Sequence, residues 1–293
     1  MKIQNVFYNN DNQIRAFWRI LIFISFLLLA VLPLILIENS YFQFFGASLI
    51  LIFGLYLNSK YLDKRGFSEY GLIFKKKTFT YLLIGVLIGF FSVILMVLIG
   101  KATGLLSVSD FLSIPKPTLV FLFAFKMLLV SILEETFFRG YLFTNIFEGI
   151  KSKKTSYKQA VLIALVISSL LFGLAHFSNN NASVISITLL TINGMVWCIP
   201  FILTKNLGLS IGLHLSWNIT QTQIGLTMSG NKALNSFYRI ENTGPDLFTG
   251  GDYGPEAGIL GLIGFAVMLL TTLAYLRITE KTLLNRVDGS AIK

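Results

Sequence analysis

The chain has 293 residues, of which 54% are hydrophobic and only 13% charged, and it carries a formal net charge of +10. Soluble domains hold about 25% charged residues, so the composition excludes an ordinary water-soluble enzyme and points to lipid as the solvent. The single cysteine, Cys198, excludes an intrachain disulfide and a thiol-based structural metal site.

A membrane-spanning helix needs about 20 predominantly apolar residues. Eight stretches meet that requirement, at roughly 18–37, 41–57, 79–100, 118–147, 159–178, 182–203, 207–227 and 256–277. The first follows a basic leader (Lys2, Arg15 and Arg19). Its apolar run exceeds the ~7–15 residues of a signal-peptide core and no small-x-small cleavage site follows, so it reads as a retained span. Lys60, Lys64, Arg65 and Lys75–Lys77 then form a basic loop, which reads as a topology signal and also suits anionic headgroups. Ser178–Asn181 forms a tight turn. The one long connection, 228–255, is dense in Gly and Pro (Gly244–Pro245, Gly250–Gly251, Gly254–Pro255) and reads as turns. It is either a surface loop or a lid over a cavity. There is no internal repeat and no low-complexity tract. The expectation is one all-α polytopic helical bundle, residues 1–293, of about eight transmembrane helices.

The charge distribution sets an orientation. With the N-terminus inside, 18 Lys and Arg fall on inner segments and 4 (Lys101, Lys116, Lys232 and Arg239) on outer loops, with Lys126 and Arg139 inside spans. That asymmetry matches the positive-inside rule and predicts cytoplasmic N- and C-termini. It accounts for the net charge without a nucleic-acid partner. No basic-aromatic interleaving argues for one.

Ionisable groups inside spans are the sharpest signal, because each costs about 2.5–3.5 kcal/mol at a helix centre. The fourth span places Glu134, Glu135 and Arg139 within six residues. Glu135 and Arg139, at i,i+4 in acid-first order, form a local ion pair. Glu134 lies about 100° around the helix and needs a partner from another helix or from water. Both histidines of the chain also fall in apolar spans. Phe172 and His176 share a face at i,i+4, as do His214 and Asn218. Glu134 and His214 sit near the middle of their spans, whereas His176 sits roughly 5–10 Å nearer the outer end at about 1.5 Å per residue. Lys126 is expected to snorkel outward.

A carboxylate, two imidazoles and a carboxamide suit water activation and oxyanion stabilisation. Ser210 and Ser216 lie near His214 but serve packing as readily as chemistry. Glu134, His176 and His214 would also suit a divalent metal such as Zn2+, assembled across helices since no HExxH motif is present.

In chain order, Glu134-Glu135-x-x-x-Arg139, Phe172-x-x-x-His176 and His214-x-x-x-Asn218 resemble the CAAX prenyl protease and bacteriocin-processing (CPBP, or Abi) family of intramembrane proteases. One such motif alone is weak. The ordered trio, each within a hydrophobic span, is specific and places a catalytic core at roughly 118–227. The resemblance implies an endopeptidase acting on a membrane-associated peptide or protein, metal-dependent or glutamate-type. It implies Glu134 as activator of water with His176, His214 and Asn218 as oxyanion stabilisers, and Glu135 and Arg139 as structural support. Abundant Lys, Asn, Ile and Phe read as an AT-rich bacterial genome, hence a bacterial cytoplasmic membrane. Two other readings use the same residues. One is a non-catalytic envelope scaffold or bacteriocin immunity protein. The other is a proton-coupled transporter, which the absence of repeated halves and broken-helix pairs disfavours.

Overall fold

A computed structural model describes residues 4–9, 12–112, 114–151, 154–232 and 235–280. Lys2, Lys153, Lys281, Arg286 and Lys293 of the charge count lie outside them. The helices run in chain order as α1 (Ala16–Val31, extended by a 3-10 turn over Leu32–Leu36), α2 (Ser40–Tyr61) and α3 (Lys76–Ala102). A strand, β1 (Leu106–Phe111), precedes α4 (Pro117–Glu135), a π-helical segment (Thr136–Phe143) and α5 (Thr144–Ile150), which together make one continuous span. Then come α6 (Tyr157–Ala175), α7 (Val184–Thr204), α8 (Gly208–Gln223), β2 (Tyr238–Asn242) and α9 (Ile259–Thr279).

Local chemistry sets the helix starts. The Asn39 side chain accepts from Tyr41 N at the head of α2, and Ser156 and Ser183 each open a capping box for α6 and α7. Pro117 occupies the first turn of α4, where its missing N–H costs nothing.

Among the described residues, seven helices are long and apolar enough to cross a membrane. The eighth expected span is different in kind. α8 has 16 residues, carries Ser, Asn, Thr and Gln, and buries 14 of them. Screened from lipid by its neighbours, it has no need of apolar length. It is the centre of the bundle, and it carries His214 and Asn218.

α8 is fixed by backbone-to-backbone packing against α3. A Cβ on Gly85 would lie 2.5 Å from Leu209 O, and one on Gly212 would lie 2.2 Å from Leu82 O. Gly85 and Gly89 on α3, and Gly208 and Gly212 on α8, each make a GxxxG pair, the spacing that lets membrane helices approach closely. The same device joins α6 to α7, where a Cβ on Gly173 would meet Thr191 Oγ1 at 2.4 Å.

The two ends of the bundle differ. At one end β1 pairs antiparallel with β2, Thr243 Oγ1 donates to Gly104 O (2.7 Å) and Asn179 Nδ2 donates to Ser229 O (3.1 Å). The described residues of the 228–255 connection therefore form a folded cap that contains a strand as well as the turns expected from its Gly and Pro. At the opposite end Asp63 accepts from Tyr70 Oη (2.6 Å) and Asn145 Nδ2 (2.8 Å), and pairs with Arg19 (3.6 Å) and Arg65 (3.5 Å). Glu148 also pairs with Arg65 and, at 3.4 Å, with Arg19. Burial beside Asp63 pushes the Tyr70 phenol well above its usual range. Arg65 is thus a buried structural cation, and the remaining lysines of its loop carry the topology signal.

Candidate active site

Glu134 and Glu135 are the last two residues of α4, and the two carboxylates have different surroundings. Glu135 is fully buried. Its Oε1 accepts from Arg139 Nη1 at 3.0 Å and shares a hydrogen bond with His214 Nδ1 at 2.8 Å. Arg139 in turn donates through Nη2 to Gly194 O (3.1 Å), and its guanidinium lies 4.3 Å from the Phe172 ring centroid. The Glu135–Arg139 pair expected from spacing is present, across the junction where α-helix passes into π-helix. Such wide turns are rare and recur at functional sites. What the spacing did not show is the second bond of Glu135. It orients the imidazole of His214, so the pair does more than make α4 tolerable in lipid.

His214 is held on three sides. Nδ1 faces Glu135, the ring stacks on Trp197 at 4.0 Å and 17°, and Nε2 points toward Glu134 Oε2 at 3.9 Å. Trp197 is itself pinned, its Nε1 donating to Met268 Sδ at 3.2 Å. The partner that Glu134 required from another helix is therefore His214, at a distance longer than a hydrogen bond. Among the described residues Glu134 Oε2 has no hydrogen-bond partner.

His176 stands just past the last turn of α6. Its Nδ1 donates to Phe172 O at 2.8 Å, which leaves Nε2 with a lone pair. Its ring lies 4.8 Å from Phe172. Although nearer its helix end than Glu134 or His214 is to theirs, His176 lines the same cavity. Glu134, His176, His214 and Asn218 all face this space of about 1100 Å3. Lys126 lines it too. It reaches toward the head of α2, donating to Ser40 Oγ at 3.1 Å and lying over the Tyr41 and Phe44 rings. Cys198 is buried in the core, and neither Ser210 nor Ser216 faces the cavity.

The sequence reading missed Glu256. This carboxylate, in a 3-10 turn before α9, is fully buried and borders the cavity. Ser229 N and Oγ donate to Oε2 (2.7 Å each), and Trp217 Nε1 donates to Oε1 at 3.0 Å. It ties the cap to the helix bearing His214 and Asn218. Its place beside Gly254–Pro255, read only as turn chemistry, concealed it.

Among the described residues no group of three His, Cys, Asp or Glu side chains is placed to hold a metal ion. Glu134, His176 and His214 do not converge as such a trio, and His214 commits Nδ1 to Glu135. No step below is routed through a metal.

The fold and site define a polytopic helical membrane protein with a polar cavity built on spans four to seven of the chain. Residues 116–220 match the family model described as type II CAAX prenyl endopeptidase Rce1-like. The matched stretch runs from the head of α4 to the last turns of α8 and contains all three motifs. No curated protein and no solved structure matches the chain.

Proposed function

We propose that this chain is an intramembrane endopeptidase that hydrolyses a peptide bond of a membrane-associated peptide or protein with water activated by Glu134. The observation that carries the reading is the unequal treatment of two adjacent carboxylates. Glu135 lies fully buried off the cavity with Oε1 engaged by Arg139 and His214, whereas Glu134 lines the cavity and, among the described residues, makes no hydrogen bond through Oε2.

Glu134 accepts a proton from water as the water oxygen bonds to the scissile carbonyl carbon. His176, through Nε2, holds the same water. The electron pair displaced onto the carbonyl oxygen is met by donors from Asn218 and His214. For His214 to donate, Nε2 must carry the proton. Its contact with Glu135 at Nδ1 supports this either as imidazolium on carboxylate or as neutral imidazole accepting from a protonated carboxyl. Glu134 then returns its proton to the departing amine nitrogen as the C–N bond breaks.

Purified Asn218→Ala should lower kcat by about 10²–10³ with KM nearly unchanged, as loss of an oxyanion donor does. His176→Ala should abolish cleavage. A KM effect alone at Asn218 would remove it from this role. Running the same assay with and without a chelator decides metal dependence.

A further inference from the structure

We infer that the cavity opens on the extracytoplasmic side of the membrane and receives a polypeptide segment held at the outer leaflet. The inference takes the substrate to be a peptide from the protease reading above. The orientation stands without it.

Two independent observations meet here. The first is where the cavity lies. Asn179, Asn180 and Asn181 of the α6–α7 turn, and Met228–Lys232 of the cap, border it. Those segments bind one another and sit at the end of the bundle closed by β1 and β2. The second is charge. The opposite end joins 62–78, 145–151, 204–208 and Glu280, through Asn206 Nδ2 to Thr78 Oγ1 (2.7 Å), Leu207 N to Gly71 O (3.1 Å) and Tyr81 Oη to Glu280 (2.8 Å). Among the described residues that end holds ten Lys and Arg in 60–77, 151–158 and at 205. The cavity end holds four, at Lys101, Lys116, Lys232 and Arg239. All these loops are short enough for the positive-inside rule to apply. The charge-rich end is cytoplasmic, so the cavity faces the other way.

The lining fits such a substrate. Leu119, Phe123, Met127 and Val130 present one apolar face of α4, while asparagine carboxamides, each both donor and acceptor, line the rim. A peptide strand partly withdrawn from water needs both, apolar contact for side chains and partners for main-chain N–H and C=O.

The test uses cells carrying the full chain with the buried Cys198 replaced by Ala and one new cysteine, Asn180→Cys or Lys151→Cys. A membrane-impermeant maleimide should label Asn180→Cys in intact cells and Lys151→Cys only after permeabilisation. Lys232→Cys, exposed on the cavity rim, gives a second reading should Asn180→Cys be unreactive even in permeabilised cells. Labelling of Lys151→Cys but not the rim cysteines in intact cells, or of both ends alike, overturns the inference. In sealed proteoliposomes, a fluorogenic amphipathic peptide that the detergent-solubilised protein cleaves should be cut only from the Asn180 side. Cleavage only from the Lys151 side also overturns it. If detergent cleavage depends on Glu134 while labelling is reversed, the protease reading stands and the orientation falls. If no peptide is cleaved in detergent, the protease reading fails and labelling still decides the orientation.

Discussion

At the scale of single residues, Glu135 and Glu134 should separate stability from chemistry. Glu135 is wholly buried between Arg139 and His214, hydrogen-bonded to both. Removing one member of a buried pair costs about 3–5 kcal/mol, because the other is left uncompensated. Arg139→Ala should therefore lower the thermal unfolding midpoint in detergent sharply and abolish cleavage through misplacement of His214. An unchanged midpoint would show that Glu135 is not held as described. The spacing of Glu135 and Arg139 was readable in the sequence because both lie on one helix. The Glu135–His214 bond was not, because 79 residues separate its ends and no periodicity relates them.

At the scale of elements, α8 and the cap decide where the catalytic groups stand. Gly212 lies where a side chain would collide with the α3 backbone, and the neighbour cannot yield as a flexible side chain could. Gly212→Leu should force α3 and α8 apart and reduce the monodisperse fraction on size exclusion. A normal elution profile with normal activity would contradict this packing. The two GxxxG pairs are legible in the sequence as a signal, but neither spacing says which helix it meets. Eight spans were expected; among the described residues seven helices are long and apolar enough to cross a membrane, and α8, the eighth, is set apart by its shortness and polarity. Hydropathy finds helices that face lipid, and α8 faces protein. The cap makes a second case. Glu256→Ala removes the acceptor of Trp217 Nε1 and of both Ser229 donors. Hydrogen exchange at 228–232 should quicken and cleavage should fall, whereas unchanged exchange would show that the cap is held by β1 and β2 alone. Composition could mark this segment as turns but could not pair Leu106–Phe111 with Tyr238–Asn242, a contact across more than a hundred residues.

At the scale of the whole molecule, the protein is a bundle with a closed, ion-paired end and an open, polar end. The closed end gathers α1, α2, the 62–75 loop and α5 around Asp63 and Glu148. Asp63→Ala leaves Arg19 and Arg65 sharing Glu148 as their remaining carboxylate and removes the acceptor of Tyr70 and Asn145, and should lower the yield of folded protein, read as a loss of the monodisperse peak. Retention of the wild-type midpoint would contradict a structural role. The open end holds the cavity and the proposed catalytic residues, and the division between them repeats the charge asymmetry that the sequence displayed. The stretch that matches the family model covers α4 to α8, and outside it α3 and α9 pack on α8 through the Gly85–Gly212 approach and the Trp217–Phe265 ring pair.

The central claim is that Glu134, of all the carboxylates near the cavity, is the base. Purified Glu134→Gln keeps the volume and removes the proton acceptor from a position that binds no protein group through Oε2. Measured in parallel for cleavage and for thermal unfolding, it should lose all detectable cleavage of a membrane peptide that the wild type processes, with its unfolding midpoint unchanged or raised. Cleavage at the wild-type rate by a folded Glu134→Gln variant would contradict the account.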